Sequence, residues 1–86
     1  MRLKNMMILQ AIETRYIGPT NHRDSRIIAT TASGLKLTRS WKHELNIEAN
    51  HYEAAKELCE KLEWGTIKAG GATKNGYAWV LSTLED

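Results

Sequence analysis

One short stretch of this 86-residue chain holds most of the side chains able to do chemistry. It runs Tyr16-Ile17-Gly18-Pro19-Thr20-Asn21-His22-Arg23-Asp24-Ser25-Arg26-Ile27-Ile28. His22, Asp24 and Ser25 are the residue types of a base, an orienting acid and a nucleophile. Near neighbours in one loop do not converge as a triad, and no second segment supplies an oxyanion hole. A metal-free phosphodiesterase using His22 with Arg23 and Arg26 is the least demanding enzymatic version, and it too lacks a second group elsewhere in the chain. Paired carboxylates would have to come from Glu53, Glu57, Glu60 and Glu63, which read as the solvated side of a helix. The expectation is a non-enzyme.

Metal chemistry fares no better. His22, His43, His51 and Cys59 form no C-x-x-C or H-x-x-x-H pair, and a structural zinc site needs four such ligands. Cys59 falls in an apolar stripe and reads as a small core residue, His51 as a surface residue near a helix start, and His43 as part of a loop. Ala69-Gly70-Gly71-Ala72 lacks the P-loop spacing and opens no helix, so it reads as a bulge or a close backbone approach. No cofactor is expected.

What remains for the loop is binding. Pro19 sets φ and donates no N–H. Thr20 and Asn21 can bond neighbouring backbone groups, so the turn is defined. A defined turn can hold the Arg23 and Arg26 forks ready for phosphate or carboxylate, unless Asp24 pairs with them first.

The elements that carry these residues follow from period and punctuation. Ile8 to Tyr16 alternates as a strand, stopped by Gly18-Pro19. Arg26 to Thr31 is β-branched, and Ser33-Gly34 turns it into Leu35 to Trp41. In that third strand Leu35, Leu37, Arg39 and Trp41 alternate with Lys36, Thr38 and Ser40. From Glu48 to Glu63 the period becomes helical, with Tyr52, Ala55, Leu58, Cys59 and Leu62 on one stripe. Asn50 with Glu53 fits a capping box, Asn46 is an earlier candidate cap, and Gly65 is the stop. Glu57 and Lys61 are placed to pair at i,i+4 on the outer side. Thr66 to Ala69 is a short strand. Asn75-Gly76 signals a turn with positive φ, leading into Tyr77 to Thr83. Trp79 and Trp64 are expected in the core. Trp41 ends a strand and is the aromatic best placed to meet a base, with packing the commoner role.

The order β-β-β-α-β-β predicts an α+β fold: a single antiparallel sheet with one helix on one face. The opposite face, carrying Arg15, Thr30, Lys36 and Thr38, is left open for a partner.

Composition sets the frame. Hydrophobic content of 42% with 26% charged residues is that of a globular chain, and 86 residues make one domain. Residues 1–5 are expected to be a dispensable extension. The N-terminus lacks a signal-peptide cleavage pattern, no apolar run can span a bilayer, and a lone cysteine suits a reducing cytoplasm. The net charge of +2 is uneven: residues 1–43 hold eight Lys/Arg against two acids, and residues 44–86 four against eight. The first half can attract a polyanion.

Gly18-Pro19-Thr20-Asn21, Arg23, Ser25-Arg26-Ile27, His43, Leu45, Ala54-Ala55, Trp64, Gly70-Gly71 and Gly76-Tyr77 together resemble a group of small proteins of phages, plasmids and bacterial genomes. The likeness spans about residues 8–82. Asp24 departs from it where glycine is usual, and aspartate tolerates left-handed backbone better than most residues. The resemblance implies a mobile-element setting and carries no activity.

The leading expectation is thus a non-enzymatic module contacting nucleic-acid phosphates through Arg15, Arg23, Arg26, Lys36 and Arg39. The alternative is an inhibitor of a host defence complex acting by protein contact, anti-CRISPR-like. Self-association as a homodimer through the open face or an edge strand is a third expectation. None involves a membrane.

Overall fold

A computed structural model describes residues 10–82 of the chain. The elements are β1 (Ala11–Ile17), β2 (Arg26–Thr31), β3 (Lys36–Ser40), α1 (Ile47–Leu62), β4 (Thr66–Ala72) and β5 (Gly76–Ser82). They form one antiparallel five-stranded sheet in the order β3-β2-β1-β5-β4, with α1 across one face. The predicted α+β fold and its element order are therefore present. The expected extension at residues 1–5 lies outside the described residues, as do Ile8 and Leu9 of the predicted first strand.

Register decides which side chains meet the helix. Ile12 stands opposite Thr31 and Trp79, Thr14 opposite Ala29 and Tyr77, and Tyr16 opposite Ile27. Ala29 in turn faces Leu37. These positions share one face because side chains alternate along a strand. Ile12, Ile27, Ala29, Leu37 and Leu81 bury there against Ala54, Ala55, Leu58 and Cys59, with Trp41, Trp64 and Trp79 packed around the cluster. The two alanines let the helix backbone come close to the sheet, and burying this apolar surface is the main stabilising term.

The helix ends differ from the sequence reading. Asn46 is the N-cap, its Oδ1 accepting from the Ala49 amide at 2.7 Å. Asn50 lies inside the helix, 2% exposed. Its Oδ1 accepts from the Lys42 amide at 2.8 Å, and its Nδ2 donates to the carbonyls of Lys42, Leu45 and Asn46. The residue expected to cap the helix instead clamps the loop that leads into it. At the other end Glu63 takes the left-handed conformation, with φ 55°. The Trp64 amide donates to the Cys59 carbonyl at 3.1 Å. Gly65, with φ 90°, turns the chain only after that cap is complete.

Of the two readings of Gly70-Gly71, the close approach stands and the bulge does not, and the positive-φ reading of Asn75-Gly76 is corrected. β4 runs straight through Gly70-Gly71, and the register shift falls at Lys68, between Ile67 and Ala69. A side chain at Gly70 would collide with the Trp79 ring, so this glycine permits a close approach. The β4–β5 turn closes with the Thr73 amide donating to the Gly76 carbonyl at 2.8 Å. Neither Asn75 nor Gly76 has positive φ. Gly76 is required for another reason: a Cβ there would strike the Thr14 carbonyl of β1.

Candidate functional site

The face of the sheet away from the helix is the first candidate. Register lays its side chains out in rows. One row runs Lys36, Thr30, Glu13, Ala78, Gly71. The next runs Thr38, Ile28, Arg15, Gly76, and a third runs Ser40, Arg26, Ile17. Arg15, Arg26 and Lys36 are thus brought together from β1, β2 and β3. The β4–β5 turn adds Lys74. A concavity of about 460 Å³ lies between Arg15, Ile28, Thr30, Lys36 and the turn residues Thr73 to Asn75. Glu13 is the acid on its wall. Among the described residues Arg39 is the arginine held in ion pairs, whereas Arg15, Arg26, Lys36 and Lys74 face this surface without a carboxylate partner.

Arg39 is a correction. It alternates with Lys36, Thr38 and Ser40 and so falls on the helix side, next to Leu37. Its Nη1 lies 3.6 Å from both Glu53 Oε1 and Glu57 Oε1 and donates to the Glu53 carbonyl at 3.3 Å. It joins β3 to α1 and is withdrawn from the binding surface. Glu57 correspondingly faces Arg39, not Lys61. The side-chain parity of the third strand already carried the signal, since Arg39 shares the register of Leu37 and Trp41.

The loop from Gly18 to Ser25 is a braced turn. Thr20 Oγ1 accepts from the amides of His22 and Arg23 at 3.2 and 3.1 Å, and the Thr20 amide donates to the Arg23 carbonyl at 2.8 Å. Asp24 does not pair with either arginine. Arg26 Nη1 reaches the Asp24 main-chain carbonyl at 3.4 Å, and Arg26 Nε is buried with no acceptor. Both guanidinium groups therefore remain uncompensated by acid.

A second candidate lies on the helix side, where this loop meets the start of α1. A cavity of about 410 Å³ is lined by Tyr16, Ser25, Trp41, His43, Ile47 and His51. Tyr16 and Trp41 stand edge to face, with ring centroids 5.1 Å apart. The Tyr16 hydroxyl and Ser25 Oγ are hydrogen-bonded at 2.8 Å. The expectation of a surface His51 is overturned, for the residue is 3% exposed. It falls on the apolar stripe with Ala55, Leu58 and Cys59, a periodicity that includes it. Tyr52, assigned to that stripe, is 38% exposed instead.

His51 Nδ1 is 2.8 Å from Thr14 Oγ1, which also accepts from Trp79 Nε1 at 3.1 Å. Burial holds the His51 pKa below its ordinary value, and hydrogen bonding to Thr14 opposes this more weakly. At pH 7 the ring is neutral. Cys59 lies away from both candidates. It is 2% exposed and its thiol is pushed up first by burial and then by the charge of Glu60. Among the described residues no group of three or more His, Cys, Asp and Glu could hold a metal ion. No helix there is long and apolar enough to cross a membrane.

No protein-family model, curated protein or solved structure matches this chain.

Proposed function

We propose that this protein is a non-enzymatic binding module that holds nucleic-acid phosphates against the open face of its sheet. The observation that carries the reading is convergence: Arg15 from β1, Lys36 from β3 and Lys74 from the β4–β5 turn surround one concavity without ion-paired carboxylates. Arg26 extends the cationic row, and Arg23 belongs to the braced loop that precedes it. Threonine and asparagine side chains between them add neutral donors, as phosphate contacts commonly use. Ala78 and Gly71 leave the floor beside them low, so a polynucleotide backbone can approach closely. The helix, with its glutamates, lies behind the sheet and repels the same ligand. A cytoplasmic, mobile-element setting is part of the proposal, in keeping with the likeness of the Gly18–Ile27 stretch to phage and plasmid proteins.

The test is a titration of labelled single- and double-stranded DNA and RNA at low salt, repeated as salt rises. Binding that weakens linearly on a log–log plot supports phosphate contact. Absence of binding at about 20–50 mM salt, a range chosen because electrostatic affinity is then greatest, removes this reading. A protein captured from nuclease-treated host lysate would then put a protein partner in its place.

A further inference from the structure

We propose that the cavity between Tyr16, Trp41 and Ile47 is a seat for a single unstacked nucleobase. The inference rests on the nucleic-acid reading and deepens it from phosphate binding to recognition of a single strand. Three features of the cavity lead there.

The first is its walls. Tyr16, Trp41 and Ile47 are apolar or aromatic, and Tyr16 and Ile47 are 47% and 59% exposed. Large side chains left this open beside a cavity of about 410 Å³ are sized for a small planar ring. Aromatic faces stack any base, because every base has a π-face.

The second is its polar group. His51 lines this cavity, is otherwise enclosed, and has Nδ1 committed to Thr14. Its Nε2 makes no hydrogen bond among the described residues and is not among their buried atoms left without one, and the ring lines the cavity. Nε2 donates in one tautomer and accepts in the other. The edge of a base carries both kinds of group, so either tautomer is met. The side chain of a leucine or phenylalanine from a partner protein would fill the same space and leave Nε2 unsatisfied, at the cost of a buried polar group. That difference favours a base over an apolar protein anchor.

The third is what surrounds the mouth. Ser25, on the cavity wall, sits in sequence between Asp24 and Arg26 and two residues from Arg23, and Lys42 follows Trp41. A base in the cavity leaves its sugar and phosphate beside the braced loop, where Arg23 has no acid partner, while Arg26 stands on the open face beyond it. The strand would pass from there around the β2–β3 end of the sheet to the open face.

The experiment uses the full chain and four probes: a ten-nucleotide thymidine oligomer, an abasic oligomer of equal length and charge, the matching duplex, and thymidine monophosphate alone. Binding is followed by fluorescence anisotropy and by quenching of tryptophan emission. Ile47→Glu, at an exposed position, obstructs the cavity without touching the core, and circular dichroism confirms that it folds. Base seating predicts that the thymidine oligomer binds about 10-fold or more tightly than the abasic one and that Ile47→Glu abolishes the difference. It also predicts that the duplex binds no better than the abasic strand. Quenching by thymidine monophosphate, lost in Ile47→Glu, identifies a free nucleotide as a sufficient ligand; quenching by the oligomer alone assigns the site to a strand. Equal binding of thymidine and abasic oligomers overturns base seating and leaves phosphate binding standing. Failure of every oligomer to bind at low salt overturns both.

Discussion

His51 on the first buried turn of α1 is joined to Thr14 on the central strand by a hydrogen bond of 2.8 Å, and Trp79 Nε1 meets the same hydroxyl from β5. Three elements thus share one buried oxygen. The arrangement makes stability sensitive to the charge on His51. Its folded pKa lies below the ordinary 6.5, with burial as the main cause. Below the unfolded value the unfolded chain binds a proton that the native chain resists, so stability is fully present above pH 6.5 and is lost as pH falls toward the folded value. Thermal unfolding followed by circular dichroism between about pH 8 and 5 checks this, because ordinary histidine titrates within that range. The melting temperature should drop on the acid side, and His51→Gln should flatten that part of the profile while lowering stability throughout.

Gly76 and Gly71 should respond in opposite directions to the same change. Gly76→Ala forces a methyl group into the Thr14 carbonyl. β1 and β5 must then separate, and a cost of about 1–3 kcal/mol is expected from overpacking. Gly71 has open space where its Cβ would stand and no positive φ. Gly71→Ala should therefore raise stability by about 0.5 kcal/mol through the reduced freedom of the unfolded chain. Urea denaturation of the two variants reads both values, and a destabilised Gly71→Ala would contradict the local geometry.

Asn46 and Asn50 differ in the same manner. Asn46→Ala removes one capping bond and should cost about 1 kcal/mol. Asn50→Ala strips acceptor and donors from the loop between Trp41 and Asn46, leaving the Lys42 amide and the carbonyls of Lys42, Leu45 and Asn46 without this partner. Four part-buried hydrogen bonds lost together, against one at Asn46, make this the larger loss, about 2–3 kcal/mol. The ranking, measured by chemical denaturation, distinguishes the cap at Asn46 from the clamp at Asn50.

The basic residues divide into two sets with separable effects. Arg15→Ala combined with Lys36→Ala should leave the melting temperature nearly unchanged and reduce the salt slope of nucleic-acid binding by about 2, one for each phosphate no longer neutralised. Arg39→Ala should leave that slope as it is. Its ion pairs with Glu53 and Glu57 are partly solvated, so the stability loss should stay below about 1 kcal/mol. A change in salt slope from Arg39→Ala would return that residue to the binding surface.

Sequence alone determined the elements, because alternation and helical period are local properties of side chains. β2 was legible to its end residues, and the helix to within one residue at each end. Parity also placed Arg15 and Lys36 together on the outer face. What needed the tertiary structure was every choice among neighbours of equal local merit. Asn46 and Asn50 are both good caps, and the loop that Asn50 clamps is visible only once the chain has folded back. Gly76 looks like a turn glycine until β1 lies against it. Strand parity and helical period already put Arg39 and His51 on the sides that meet the core, but their partners, Glu53 and Glu57 for Arg39 and Thr14 for His51, lie far along the chain and are set only by the fold. Strand order belongs to the same category. The central place of β1, between β2 and β5, brings Tyr16 toward Trp41 and Arg15 toward Lys74, and no local propensity specifies a pairing across that distance.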